Sequence, residues 1–501
     1  MSAGTAERRT GPLPAAVLAA LIVLALALRF YRLGDWGFEG DEIFTLRDSL
    51  NLRPNNPRPL IYLLNHFVVR PFVLLDEFGL RLLPALAGVL AVPAFYAMAR
   101  RLVGTRAALF GALFLTFSTV HVYQSQNARY WSLVFLFSAI YPYALFVGIR
   151  ERNGRALALG LVTLVLGALS HPVAVLLVGG LALWLALTYL RRISLAELWS
   201  QKGLRWGALA IIALGTAIAV RYTPILRGWV GAHDEGRIGD HLLHLPTQPG
   251  LKQVLYVVSY VEGLTIPLVL AGVLGIYLLW QSRDRTLGVL LVCLAIVPVV
   301  FLALLSLRTP VSTSYLLPAA PPLFIGAGVL LDRLAGVDYG TRPRWLVAVG
   351  VAATMLYSGL PTLFSQYRDG RRHDFQAAAA WLGQRLGTGD LVYSDQVEVL
   401  RHYLPAASAE PLQGDTAALG TSVRTLAGAR NGQALWIVAP YTAAAGSHRT
   451  GRKVGVLKTW IYDNCRLRTT IGVARLDFRN NELQIYRCAA EATRETGASS
   501  R

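Results

Sequence analysis

The chain has 501 residues, 54% of them hydrophobic and only 15% charged, a profile that excludes an ordinary soluble domain. Its formal net charge of +19 would suggest nucleic acid in a soluble protein. Here the basic excess falls in short loops between apolar segments and in the tail, with no zinc-type spacing or aromatic-rich basic groove, so nucleic acid is not an expected partner.

The N-terminus opens with Glu7-Arg8-Arg9-Thr10 and an apolar run over 15–28, like a signal peptide. The run ends at Arg29-Phe30-Tyr31-Arg32 without a small-residue cleavage site, so it reads as an uncleaved first membrane helix. Apolar windows of about 20 residues place helices near 14–32, 80–100, 107–123, 131–149, 156–170, 172–190, 206–221, 254–280, 286–306, 316–333 and 345–363. His171-Pro172 either separates two spans or kinks one long element. The predicted fold class is a polytopic α-helical membrane protein of about eleven spans with a C-terminal α/β domain. The basic clusters at Arg8-Arg9, Arg100-Arg101, Arg150, Arg191-Arg192, Arg283 and Arg342 are separated by even numbers of crossings. By the positive-inside rule they share the cytoplasmic side, which places the N-terminus inside and everything after roughly residue 365 outside.

Just past the first span lies Gly40-Asp41-Glu42. A glycine before two acids permits a tight chain reversal at the membrane surface. Carboxylates at such a boundary are either functional, well paired, or the acidic first turn of a short interfacial helix. The outer segment 33–79 continues through 51–58, rich in Asn, Pro and Arg, to an apolar stretch over 60–69 that suits a helix lying in the interface. A second outer segment, 222–252, carries His233, Asp234, Glu235, His241 and His244, a loop-like composition without the fixed spacing of a metal site. Glu262 sits in an otherwise apolar stretch and is expected to face a cavity or the interface.

The transmembrane domain is read as 1–363 and the soluble domain as 364–501. In the latter a helix is predicted over 374–386 and strands over 390–394, 434–439, 454–462, 471–478 and 482–486. It lacks a Gly-rich phosphate loop. Cys465 and Cys488 both lie in it, so an extracytoplasmic location would favour a disulfide between them, whereas Cys293 lies in an apolar span.

These features resemble the glycosyltransferase family 39 type of polytopic enzyme, which includes protein O-mannosyltransferases and aminoarabinose transferases. The resemblance rests on Asp41-Glu42, on Pro59-Leu60-Ile61-Tyr62-Leu63-Leu64 and on Arg81-Leu82-Leu83-Pro84. Further along it includes Ser125-Gln126-Asn127-Ala128-Arg129-Tyr130, His171-Pro172, Tyr315-Leu316-Leu317-Pro318 and Asp374-Phe375. It implies a C-type glycosyltransferase fold in a bacterial-type plasma membrane. It also implies transfer of one sugar from a polyprenyl-phosphate donor to a lipid, protein or glycan acceptor.

Such chemistry needs a carboxylate to take the acceptor's proton and cations to hold the departing phosphate. Asp41 is the candidate base and Glu42 its helper. Arg129 and Arg308 are candidates for the phosphate, and Tyr62, Tyr130, His66 and Tyr315 for substrate binding. The resemblance further implies a divalent metal (Mg, Mn or Zn) near the donor phosphate, yet Asn127 stands where a Glu is usual. Gln124 replaces a usual Tyr, and Ser314 an Arg that often precedes Tyr315. The alternatives are a lipid-linked glycan ligase or polymerase and a lipid or sugar transporter. The transporter reading would want repeated halves with broken helices, which the sequence does not display.

Overall fold

The computed structural model describes residues 12–53, 56–189, 264–282, 284–307, 311–336, 344–412, 421–422, 433–440, 459–472 and 481–488. The chain divides into two units, broken at 33/34, 47/48 and 363/364 among the described residues.

The first unit is helical. Asp76 caps Glu77–Val103 by accepting the Gly79 N–H, Asn153 caps Gly154–Ser170, and Asp284 caps Arg285–Leu305. Among the described residues six helices are long and apolar enough to cross a membrane: Leu13–Phe30, Glu77–Val103, Trp131–Arg150, Pro172–Tyr189, Arg285–Leu305 and Trp345–Asp369. A seventh results if Thr105–Phe117 and Thr119–Ser125, bent by 58° at Ser118, form one broken span. About eleven spans were expected. Three of them coincide with shorter helices, Gly154–Ser170, Ile266–Gln281 and Pro321–Gly336, which fall below the length of a full crossing. The predicted span 206–221 lies outside the described residues, as do the outer segment 222–252 with its histidines, and Glu262. His171 is extended between Gly154–Ser170 and a 3-10 turn at Pro172–Val175, so the chain breaks there rather than running through.

Three ion pairs tie loops of this unit together: Arg101–Glu151, Arg106–Asp332 at 2.8 Å and Arg150–Asp284 at 2.8 Å. Each is partly exposed and individually weak. They link the loops at residues 101, 150–151 and 284, and separately those at 106 and 332.

The second unit is built on a five-stranded sheet, ordered β2-β1-β3-β5-β4: β1 Leu391–Ser394, β2 Ser408–Pro411, β3 Leu435–Pro440, β4 Cys465–Ile471 and β5 Leu483–Cys488. β1 runs parallel to both β2 and β3, while β5 is antiparallel to β3 and β4. Asp374 caps the helix Phe375–Gly383. Asp390 fastens the sheet's start, accepting from Ala434 N–H at 2.7 Å and from the Trp436 indole at 2.9 Å. Cys465 and Cys488 sit directly opposite on β4 and β5 and form a disulfide.

Of the strand expected over 454–462, the described residues 459–462 are helical. Most of the strand expected over 471–478 lies outside the described residues, and β4 at Cys465–Ile471, just before it, was not expected. β4 is an edge strand whose side chains are mostly exposed, so its polar Arg-Leu-Arg-Thr pattern lacked the apolar alternation used to find strands. The second unit also takes in Gly34–Arg47, a stretch read from the sequence as part of the first outer loop.

Candidate functional site

The predicted site residues fall into two groups, one in each unit. In the second unit, Gly40 adopts φ +39° and turns the chain into the helix Asp41–Leu50. Asp41 is exposed at the first helical position, while Glu42 beside it is buried. The Glu42 carboxylate accepts from the Arg372 guanidinium at 2.6 Å and from the Glu39 N–H at 3.1 Å. Adjacent in sequence, the two acids differ in burial: Asp41 is exposed, and Glu42 is buried against Arg372.

Another acid of this unit, Asp395, lies just past the end of β1. Burial pushes its carboxyl up to about 7, and the negative charge of Glu39 adds to the rise. Backbone N–H groups and the Ser394 hydroxyl oppose it. Oδ1 of Asp395 is buried without a hydrogen-bond partner.

In the first unit the chain between Thr119–Ser125 and Trp131–Ser138 carries Arg129 and Tyr130. The Arg129 guanidinium lies 4.8 Å from the Tyr130 ring centre and also donates to its hydroxyl at 3.3 Å. A second guanidinium, Arg58, lies 5.1 Å from the same ring centre. Arg58 precedes Pro59, the first residue of the helix Pro59–Leu64, and its Nε is buried with no hydrogen-bond partner. Tyr62, one turn into that helix, feels the charges of Arg129, Arg58 and Asp48. Tyr130 stacks on His171 at 4.7 Å, and Trp131 and Tyr315 complete an aromatic group, Tyr315 standing 5.5 Å from His171 and 5.7 Å from Trp131. The arrangement presents two cations and several aromatic faces, which can grip an anionic group and lie against a sugar ring.

Of the predicted binding residues, Arg129, Tyr130, Tyr62 and Tyr315 belong to this group. His66 is bonded to the Ser49 carbonyl at 2.8 Å and packs edge-on against Phe67. Arg308 lies outside the described residues. Arg58 was not singled out by the sequence; the signal was present, an arginine beside a helix-opening proline in an outer segment. Gln124 Nε2 donates to Ser314 Oγ at 3.4 Å, so the two substituted positions are neighbours. Asn127 donates to the Tyr123 hydroxyl at 3.4 Å. Among the described residues, no three His, Cys, Asp or Glu side chains gather as a metal would need.

Residues 57–215 match the family model of dolichyl-phosphate-mannose-protein mannosyltransferases, which bears out the resemblance read from the motifs. No curated protein matches the chain by sequence. Among solved structures, ArnT from Cupriavidus metallidurans in the apo state superposes with a TM-score of 0.56 at 17% identity, covering 95% of this chain and 98% of that one. The same protein bound to undecaprenyl phosphate gives 0.53 at 18% identity, covering 96% and 98%. The Archaeoglobus fulgidus oligosaccharyltransferase in complex with zinc and sulfate gives 0.56 at 12% identity, covering 90% and 71%. The chain thus has the fold of these solved structures.

Proposed function

We propose that this protein is an integral membrane glycosyltransferase that moves a monosaccharide from a polyprenyl-phosphate carrier to an acceptor hydroxyl. The observation that carries the reading is the convergence of Arg58 and Arg129 on the Tyr130 ring, beside Tyr62 and the His171 stack. In the reaction the acceptor oxygen attacks the anomeric carbon and the carbon–oxygen bond to the lipid phosphate breaks. The acceptor's proton passes to Asp41, an exposed carboxylate. The departing phosphate carries the developing negative charge, and the two guanidiniums stabilise it. Tyr130, Tyr62 and Tyr315 hold the donor. Glu42, buried on Arg372, does not take the proton.

A bound undecaprenyl phosphate in ArnT, and dolichol-phosphate in the archaeal AglB, support a polyprenyl-phosphate donor here. The disulfide supports an extracytoplasmic location for residues 364–501, with the N-terminus cytoplasmic and the chain in a bacterial-type plasma membrane. The archaeal enzyme was crystallised with zinc, but the described residues of this chain do not fit a metal site: position 127 offers a neutral carboxamide and no acidic or histidine cluster accompanies it.

The test is transfer of radiolabelled sugar from polyprenyl-phosphate mannose and related donors into a membrane extract, comparing wild type with Asp41→Asn, each with and without chelator. Wild-type turnover that survives chelator and vanishes in Asp41→Asn is the expected result. Full activity in Asp41→Asn would overturn the assignment of the base, and incorporation of only preassembled glycans would favour a ligase.

A further inference from the structure

The stretch that carries Asp41 is fastened to the C-terminal α/β domain at alternate residues. Trp36 lies against Gly370, whose φ of +67° brings the backbone close enough that a Cβ there would meet the indole at 2.7 Å. The Phe38 N–H donates to the Tyr403 hydroxyl at 2.5 Å, and its ring packs against His402 and Tyr403. The Gly40 N–H donates to Gln396 Oε1 at 2.7 Å. Glu42 closes the series on Arg372. Glu39, between them, accepts from the His373 N–H at 3.4 Å.

Of these contacts only Arg372 joins the helix Asp41–Leu50 itself, in its first turn and one residue from Asp41, to the tail domain through a charged pair. Both side chains are almost completely buried, about 2% exposed for Arg372 and 1% for Glu42. The guanidinium is in turn oriented by Nε donation to the Gly370 carbonyl at 3.3 Å and lies 5.9 Å from the Trp36 ring centre. A buried guanidinium–carboxylate pair is directional and tolerates little displacement of either end. Its geometry therefore sets the rotation of the first helical turn, and with it the direction in which Asp41 leaves the backbone.

We infer that Arg372 is a positioning residue for Asp41, so that the C-terminal domain is part of the catalytic apparatus. The inference rests on the assignment of Asp41 as the base. Positioning acts on the chemical step: a base displaced by about 1 Å loses on the order of 100-fold in rate, while donor binding, carried by residues of the other unit, is untouched.

The test uses purified full-length enzyme and four variants, Arg372→Met, Arg372→Lys, Asp390→Asn and Asp41→Asn, with kcat, donor KM and thermal unfolding measured on each. Asp390→Asn breaks the fastening of β1 to β3 far from the Asp41 stretch in sequence and serves as the control for destabilisation alone. The expected result is a kcat about 100-fold lower in Arg372→Met, with donor KM within twofold of wild type. Arg372→Lys, which keeps the charge and loses the fork, recovers about tenfold of that loss. Asp390→Asn keeps wild-type kcat per folded enzyme at a similarly lowered unfolding temperature. Should Arg372→Met fail to fold, Arg372→Lys against Asp390→Asn decides the matter. Wild-type kcat in the folded Arg372 variants, or an equal loss in Asp390→Asn, would overturn the inference. An active Asp41→Asn would instead overturn the functional reading on which it rests.

Discussion

The Gln126 side chain donates to the backbone carbonyl of Arg29 at 3.4 Å, and the Arg29 side chain donates back to the helix that leads to Gln126. Gln126 Nε2 also faces the carbonyls of Leu28 at 3.3 Å and Tyr31 at 3.0 Å, where Pro12–Phe30 ends. Arg29, fully buried, donates to the carbonyls of Leu115 and Thr116, exposed by the helix break at Ser118, and to His121 Nδ1 at 2.8 Å. The acceptor role of Nδ1 places the ring proton of the neutral imidazole on Nε2. Gln126 caps the helix that carries Arg29, while Arg29 caps Thr105–Phe117 and bonds His121 in the helix that leads to Gln126; Arg129 lies three positions beyond Gln126.

Substituting Gln126→Leu removes the cap and its hydrogen bonding to these carbonyls, a net contribution of about 0.5–1.5 kcal/mol per bond. The expected outcome is an unfolding temperature lower by several degrees, with sugar transfer reduced about tenfold as the Arg129 loop shifts. Arg29→Met should be the more damaging change, because it strips the broken helix of its donors. Thermal unfolding in detergent and initial rates on the same preparations check both.

The Arg58–Tyr130–Arg129 group predicts effects on the donor rather than the acceptor. Arg58→Gln and Arg129→Gln each remove one charge-assisted contact to phosphate, about 1.5–3 kcal/mol, which corresponds to roughly tenfold to a hundredfold. The expected result is weaker competitive inhibition by undecaprenyl phosphate in both variants, with acceptor KM unchanged. Equal inhibition of wild type and both variants would remove the phosphate from this location.

What the sequence made legible was local or periodic. The long apolar windows marked the membrane helices, and Gly40-Asp41-Glu42 stood out because charge next to a span is costly. The Ser125 to Tyr130 motif likewise put Arg129 and Tyr130 on view. What remained hidden depended on distant partners. Glu42 could be read as helper or as helix opener, and only Arg372, 330 positions away, decides between a proton acceptor and a buried ion pair. Arg29 read simply as the charge that ends an apolar run, although its guanidinium is buried against a helix 86 residues on. Arg58 was submerged in a Pro- and Asn-rich segment. β2 was missed because it is short, polar and ends in a proline, as edge strands can.

The Cys465–Cys488 disulfide bridges the edge strand β4 to its neighbour β5 across a sequence separation of 23. Closing a loop of that length in the unfolded chain is worth about 3 kcal/mol in the chain-entropy model. Cys465→Ser/Cys488→Ser should therefore lower the unfolding temperature of the C-terminal domain by several degrees. Cys293, in the apolar helix Arg285–Leu305, is unpaired and buried, so thiol labelling of the unfolded protein should find one free cysteine without reductant and three with it.

Asp395 gives the domain a pH dependence whose sign follows from its environment. Its carboxyl titrates at about 7 in the folded protein against 3.8 for the ordinary side chain, driven by burial and then by the charge of Glu39. The folded state therefore holds the proton more tightly than the unfolded state. Stability from this group is fully present below the unfolded value, falls as pH rises between about 4 and 7, and is lost above that window. The groups that act on it are Glu39, the Ser394 hydroxyl and the backbone N–H groups of residues 395 and 396. Asp395→Asn replaces the protonated carboxyl by a neutral side chain of the same size, so the variant should unfold several degrees above wild type at about pH 8 and at nearly the same temperature at about pH 4. Because Gln396, the next residue, holds the Gly40 N–H, the loss of stability at high pH should reach the Asp41 stretch. Backbone hydrogen exchange over residues 36–42 measures this: in wild type it should accelerate between about pH 5 and 7 beyond the intrinsic base-catalysed rise, and in Asp395→Asn it should follow the intrinsic rise alone. Identical exchange profiles in the two proteins would show that the carboxyl has no hold on the stretch.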